Sequence, residues 1–119
     1  MPSIRSLEDL LERARDFEDV PLETVTGRLF TVRVFRDREL VFTPVSSGLG
    51  QSDGRRAQQR FVATYAASGS LRPVDYARVS RNASYLIGLL MAIDAAPRGV
   101  RDTDRVRRRR SASAASDRS

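Results

Sequence analysis

The sequence predicts an α+β fold made of an N-terminal amphipathic helix, a β-hairpin, a three-helix segment and a disordered basic C-terminal tail. Three observations carry this. Apolar residues recur at helical spacing over residues 7–18, and they alternate with period two over 24–35 before resuming at 40–43. After Pro97 the chain turns into an arginine-rich run that cannot build a core. A chain of 119 residues supports one domain, placed at 1–97, with the tail at 98–119.

Ser6 is a natural N-cap, and Asp9 three residues later makes an aspartate version of the capping box. Leu7, Leu10, Leu11, Ala14 and Phe17 form the apolar stripe of a helix over 7–18, which ends before Pro21. In the following strand Phe30, Val32 and Val34 face the core, and Leu29, Thr31, Arg33 and Phe35 lie on the other side. Residues 36–39 close a hairpin, and 40–43 return as a second strand that Pro44 confines to an edge or an end. Two strands alone are marginal in water, so helices must cover them or a third strand must join.

A glycine- and serine-rich loop over 45–54 leads into a helix from Arg55 to Ala67, with Ser52 or Asp53 as its cap and Gly69 as its stop. Pro73 opens a short helix reaching Val79, residues 80–82 make a break, and a last helix covers 83–94.

All 21 basic residues are arginine, and the chain contains no lysine, histidine, cysteine or tryptophan. That composition excludes zinc fingers, thiol nucleophiles, Ser-His-Asp relays, P-loop lysines and disulfides. Exclusive arginine is also what GC-rich coding produces, so position matters more than number. Residues 1–97 hold 13 arginines and 12 acids, whereas 98–119 hold eight arginines and three acids. The first 19 residues carry six of the acids. No secretory h-region opens the chain, and its longest apolar stretch, 85–93, is far short of the roughly 20 residues of a membrane span. The expectation is a cytoplasmic, prokaryotic protein without a membrane partner.

Four features bear on function. In the tail, Arg105, Arg107, Arg108, Arg109 and Arg110 suit a polyanion; about five phosphate contacts correspond to a salt slope near −4.5. The bland alternative is a solubilising tail. Residues 73–93 resemble a helix-turn-helix, whose second helix would place Arg81, Asn82 and Tyr85 nearest the bases. The turn departs from that motif, with Arg81 where glycine is usual and Ser80 and Asn82 where apolar residues are usual. Against groove insertion, Leu86, Ile87, Leu89, Leu90, Met91 and Ile93 spread over an arc of about 200°, the signature of a central core helix or a homodimer interface. The opposite side carries Ser84, Gly88 and Ala92, small enough to admit another backbone.

The loop over 46–56 has neither a P-loop nor a dinucleotide fingerprint, and Arg55 and Arg56 at its end are auxiliary phosphate contacts. Arg28, Arg33, Arg36 and Arg38 on the hairpin add basic surface beside Phe35. The carboxylates are scattered, so no catalytic residue, metal ligand or cofactor is assigned. The reading is a non-catalytic nucleic-acid-binding protein, for DNA rather than RNA. The alternative is a protein-interaction or oligomerisation module.

Overall fold

The computed structural model describes residues 4–96. The tail, with Arg105 and Arg107 to Arg110, lies outside the described residues, as does the expectation that it is disordered.

The first helix, α1 (Leu7–Ala14), is capped as its sequence predicts, with Ser6 Oγ accepting the Asp9 amide at 3.1 Å. The Asp9 carboxylate reaches back to the amide of Arg5 (3.3 Å) rather than that of Ser6, one residue beyond the usual capping box. Leu7, Leu10, Leu11 and Ala14 are buried. The helix is shorter than 7–18: Arg15–Phe17 tighten into a 3₁₀ turn, and the chain reverses at Asp19 with φ 62°. That reversal lets residues 18–20 run along the sheet instead of extending the helix.

Of the two supports expected for the hairpin, both are present: a third strand precedes it and helices cover one face. Strands β1 (Leu22–Glu23), β2 (Leu29–Phe35) and β3 (Glu39–Pro44) form an antiparallel sheet in that order. The run over 24–35 is therefore not one strand. Thr24 folds it into a turn, donating its amide to the Arg28 carbonyl and accepting the Arg28 amide on its hydroxyl. Leu22 pairs with Phe30, and Val34 with Leu40. Period two holds on β2: Phe30 and Val32 are buried, while Leu29, Arg33 and Phe35 are exposed. The β2–β3 turn uses Arg36 and Asp37 at positive φ, a conformation usually left to glycine or asparagine. An ion pair from Arg15 to Asp37 ties that turn to the end of α1.

The outer edge of β3 and the part of β2 that runs beyond β1 are closed within the chain. In β3 the outward-facing groups belong to Leu40, Phe42 and Pro44. The Gln58 side chain accepts the Leu40 amide at 2.7 Å and donates to its carbonyl at 2.8 Å. Gln51 exchanges two backbone bonds with Phe42, and the Pro44 carbonyl accepts the Gly48 amide. On the far edge of β2, Asp19 donates its amide to the Val32 carbonyl, and the Glu18 carboxylate accepts the Val34 amide at 3.0 Å. These groups are unavailable to an added strand.

Helices cover one face of the sheet. Helix α2 (Arg55–Ser68) ends at Gly69 in the left-handed conformation, as predicted. It starts at Gly54 without a side-chain cap; Ser52 instead accepts the Gly54 amide, and Asp53 accepts the hydroxyl of Ser80. The short helix is a 3₁₀ turn (Pro73–Tyr76) rather than a helix to Val79. Its Tyr76 ring lies 4.2 Å from that of Phe61 on α2, and its hydroxyl bonds the Ser70 carbonyl at 2.6 Å.

Helix α3 (Ala83–Ala95) is the centre of the molecule, with Tyr85 to Leu90 buried without interruption. The stripe of small residues admits a strand: a Cβ on Gly88 would stand 2.7 Å from the Glu23 carbonyl oxygen and 3.0 Å from the Phe30 ring. No helix among the described residues is long and apolar enough to cross a membrane.

Two substitutions test this packing. In a helix interior, glycine to alanine normally gains about 1 kcal/mol. Gly88→Ala should instead lose about 1–3 kcal/mol in urea unfolding, because β1 must move off the helix. Gln58→Leu keeps the side-chain size but strands the Leu40 amide and carbonyl, and should cost at least about 2 kcal/mol. An unchanged midpoint in either variant would contradict the interaction it tests.

Candidate nucleic-acid interface

Burial divides the residues expected nearest the bases. Arg81 is exposed, but Asn82 and Tyr85 are only 6% and 8% accessible. The break before α3 explains this. The Ser80 hydroxyl turns in to Asp53 and accepts the amide of Asn82, drawing both residues under the start of α2. Tyr85 then enters an aromatic cluster, stacked on Phe42 at 5.7 Å and edge-on to Phe30 at 5.1 Å. Within the first turn of α3 only Ser84 is exposed. A helix buried in this way does not offer its N-terminal side chains to a groove, so the helix-turn-helix likeness ends at the order of elements. The homodimer reading of α3 has little surface to use, since every residue of the apolar arc except Met91 is buried within the protomer.

The two arginines at the start of α2 also part company. Arg55 is held by the Glu8 carboxylate at 2.5 Å and the Arg38 carbonyl at 2.7 Å. A backbone hydrogen bond, then the Arg55 guanidinium, hold the Glu8 carboxyl below its ordinary range. Arg56 is exposed, and its side chain has no partner among the described residues. It sits at the positive end of the α2 dipole in a first turn that contains no acid. A cation there is unfavourable for the helix itself and favourable for a bound anion.

Sequence reasoning noted the acidic first 19 residues and the arginine-rich stretches at 28–38 and 55–60, but not that the domain's charge divides near residue 53. Residues 4–53 hold seven arginines and ten acids, a net of −3; residues 54–96 hold six arginines and two acids, Asp75 and Asp94, a net of +4. Of those six, Arg56, Arg60, Arg72, Arg78 and Arg81 are exposed and carry no side-chain partner among the described residues. The Phe61–Tyr76 ring contact and the Ser80–Asp53 hydrogen bond join the two segments that bear them. In the first half Arg15 and Arg33 are matched by Asp37 and Asp19, while Arg28, Arg36 and Arg38 are exposed without an acidic partner among the described residues. Counting charge element by element would have revealed this split without coordinates.

On the hairpin, Arg33 pairs with Asp19, and the Arg36 guanidinium lies 5.0 Å from the Phe35 ring centroid. Arg28 and Tyr85 line a cleft of about 500 Å³ at the end of the sheet. Among the described residues no group of three or more acids is placed to hold a metal ion.

No family model, curated protein or solved structure matches the chain.

The buried placement of Tyr85 has a testable consequence. Its ring is packed, but its hydroxyl has no hydrogen-bond partner among the described residues. Tyr85→Phe should therefore keep the stability of the parent within about 0.5 kcal/mol, while Tyr85→Ala should lose about 3–5 kcal/mol. A solvent-exposed recognition tyrosine would tolerate both. Acid should also release Arg55: Glu8 titrates below its ordinary range, so the ion pair is present at neutral pH and is lost as pH falls through that lowered value. A pH series of the Arg55 side-chain Nε resonance checks this, and Glu8→Gln should remove the transition.

Proposed function

We propose that this is a non-catalytic nucleic-acid-binding protein that holds duplex DNA by its phosphate backbone, through the basic half of the domain and the arginine tail. The observation that carries the proposal is the separation of charge, with five exposed and unmatched arginines on the α2-to-α3 half and acids concentrated on the other. A protein that only needed solubility gains nothing from segregating its charge, because mixed signs serve as well. A polyanion is attracted to one side and repelled from the other, which orients the encounter. Arg56 adds to this, since it sits where the α2 dipole already favours an anion.

The residues differ from those a helix-turn-helix would use. Arg56, Arg60, Arg72, Arg78 and Arg81 make phosphate contacts. Arg105, Arg107, Arg108, Arg109 and Arg110 extend them. Arg55 serves the fold, and Asn82 and Tyr85 support the surface from beneath. Contacts of this kind position a protein on DNA without reading sequence. The binding is accordingly strong at low salt and weakly selective.

A second reading, a protein-interaction module, rests on the face of the sheet that no helix among the described residues covers. Leu29 and Phe35 are each 47% exposed there, with Val45 beside Leu29.

Fluorescence anisotropy on a random-sequence duplex at several salt concentrations separates the two. Full-length protein should bind with a steep salt slope. Replacing Arg56, Arg60, Arg78 and Arg81 together by alanine should make the slope shallower by about 0.9 for each phosphate no longer neutralised. Neutralising Arg105 and Arg107 to Arg110 alone should leave measurable binding. Loss of all binding with the tail changes would remove the domain from the interface, and a self-associating protein that ignores DNA would favour the sheet face.

A further inference from the structure

The cleft at the end of the sheet is independent of the basic half, and its walls come from two turns held firmly by their own hydrogen bonds. On one side the Thr24 turn fixes Gly27 and Arg28, with the Gly27 amide bonded to the Thr24 carbonyl and the Arg28 amide to the Thr24 hydroxyl. On the other, Gly48 donates its amide to Pro44, and the Ser47 hydroxyl accepts the Leu49 amide. Tyr85 also lines the cleft, its ring fixed by Phe30 and Phe42.

We propose that this cleft binds a small monocarboxylate with an apolar body. Its volume of about 500 Å³ is within the usual range for small-molecule sites. One wall is apolar, formed by Leu29, Pro44 and Val45. The polar groups are those of Arg28, Ser46, Ser47, Gln51 and Tyr85, and no acid lines the cleft among the described residues.

Three of these groups are free to donate to a ligand. The Arg28 side chain has no partner among the described residues, and its guanidinium fork matches a carboxylate in a bidentate pair. Ser47 Oγ already accepts the Leu49 amide, which leaves its own proton to be donated. The Tyr85 hydroxyl has no hydrogen-bond partner among the described residues, while its ring packs on Phe30 and Phe42. Tyr85 lines the cleft, and a tyrosine hydroxyl there is a polar handle for a ligand.

The charge of the ligand follows from what surrounds Arg28. One guanidinium balances one negative charge, and the Glu23 carboxylate stands 3.9 Å from the position of a Cβ on Gly27. A monocarboxylate matches the single charge of Arg28, whereas a phosphate dianion would leave one charge without a cation in the cleft, so a carboxylate fits better than a phosphate. The apolar body then lies along Leu29, Pro44 and Val45, where it removes exposed Leu29 and Val45 surface from water.

The test is an amide NMR titration of full-length protein, without nucleic acid, with phenylacetate and hexanoate as ligands. 2-Phenylethanol serves as the neutral control and phenyl phosphate as the dianionic one. Both carboxylates should give saturable shifts at Gly27, Arg28, Ser46, Ser47 and Tyr85. The neutral alcohol should bind at least about tenfold more weakly, the scale of a charge-assisted hydrogen bond. Arg28→Gln, on an exposed side chain, should weaken the carboxylates by a similar factor, and Tyr85→Phe by about threefold or more. Shifts that fail to saturate, equal affinity for the alcohol, tighter binding of phenyl phosphate, or an unaffected Arg28→Gln would each overturn the proposal.

Discussion

The fold turns on a place where a strand backbone lies directly against a helix. Gly88 sits in the middle of α3 with the Glu23 carbonyl and the Phe30 ring occupying the space a side chain would need. Because β1 can approach this closely, it pairs with β2 and completes the sheet, and α3 is wrapped on the side its apolar arc does not cover. Burial of Tyr85 to Leu90 in one continuous run follows from that approach. So does the aromatic cluster of Phe30, Phe42 and Tyr85, which joins α3 to both long strands. A larger residue at 88 would push β1 away and leave the hairpin with two strands, an arrangement that is marginal in water.

Once the sheet is complete, its open backbone is the next liability, and this chain closes β3 and the free stretch of β2 with polar groups from its own loops and from α2. Gln58 acts as a short piece of strand, matching both the donor and the acceptor of Leu40 from within a helix. Its own burial is thereby satisfied, which is why a glutamine can sit on the apolar side of α2 beside Phe61 and Val62. Glu18 and Asp19 play the corresponding part on β2. Partners are left the faces, the clefts and the charged surface, and the proposals made for this protein use those features only.

Charge and packing are divided between the two halves of the domain. The acidic half uses its arginines and acids locally, pairing Arg15 with Asp37 and Arg33 with Asp19, while Glu8 reaches across to Arg55 on α2. Exposed ion pairs of this sort contribute little to stability. Beyond those pairs, more of the unmatched arginines lie on α2 and the segment leading to α3, five against Arg28, Arg36 and Arg38 at the sheet. The DNA reading depends on that surplus, whereas the carboxylate cleft depends on a single arginine at the end of the sheet.

Much of the architecture was legible from residues 4–96 taken in order, because the signals concerned are local. The Ser6 cap, the alternation from Phe30 to Val34, the left-handed stop at Gly69 and the Pro73 start all act within a turn or two of themselves. The Ser84–Gly88–Ala92 stripe likewise signalled a close backbone approach. That the backbone would be a strand was decided elsewhere, by Thr24 folding the chain so that residues 22 and 23 return beside β2. The site was less legible for the same reason. Asn82 and Tyr85 have the chemistry of a reading helix, and nothing near them in the chain says whether they face water. Ser80 binding Asp53, 27 residues earlier, and the rings of Phe30 and Phe42 turn them inward. The sequence by itself determined element type, caps and the charge of each segment, since those depend on neighbours a few residues away. Only the tertiary structure decided which side chains remain at the surface, because burial is set by groups that are distant in sequence and adjacent in space.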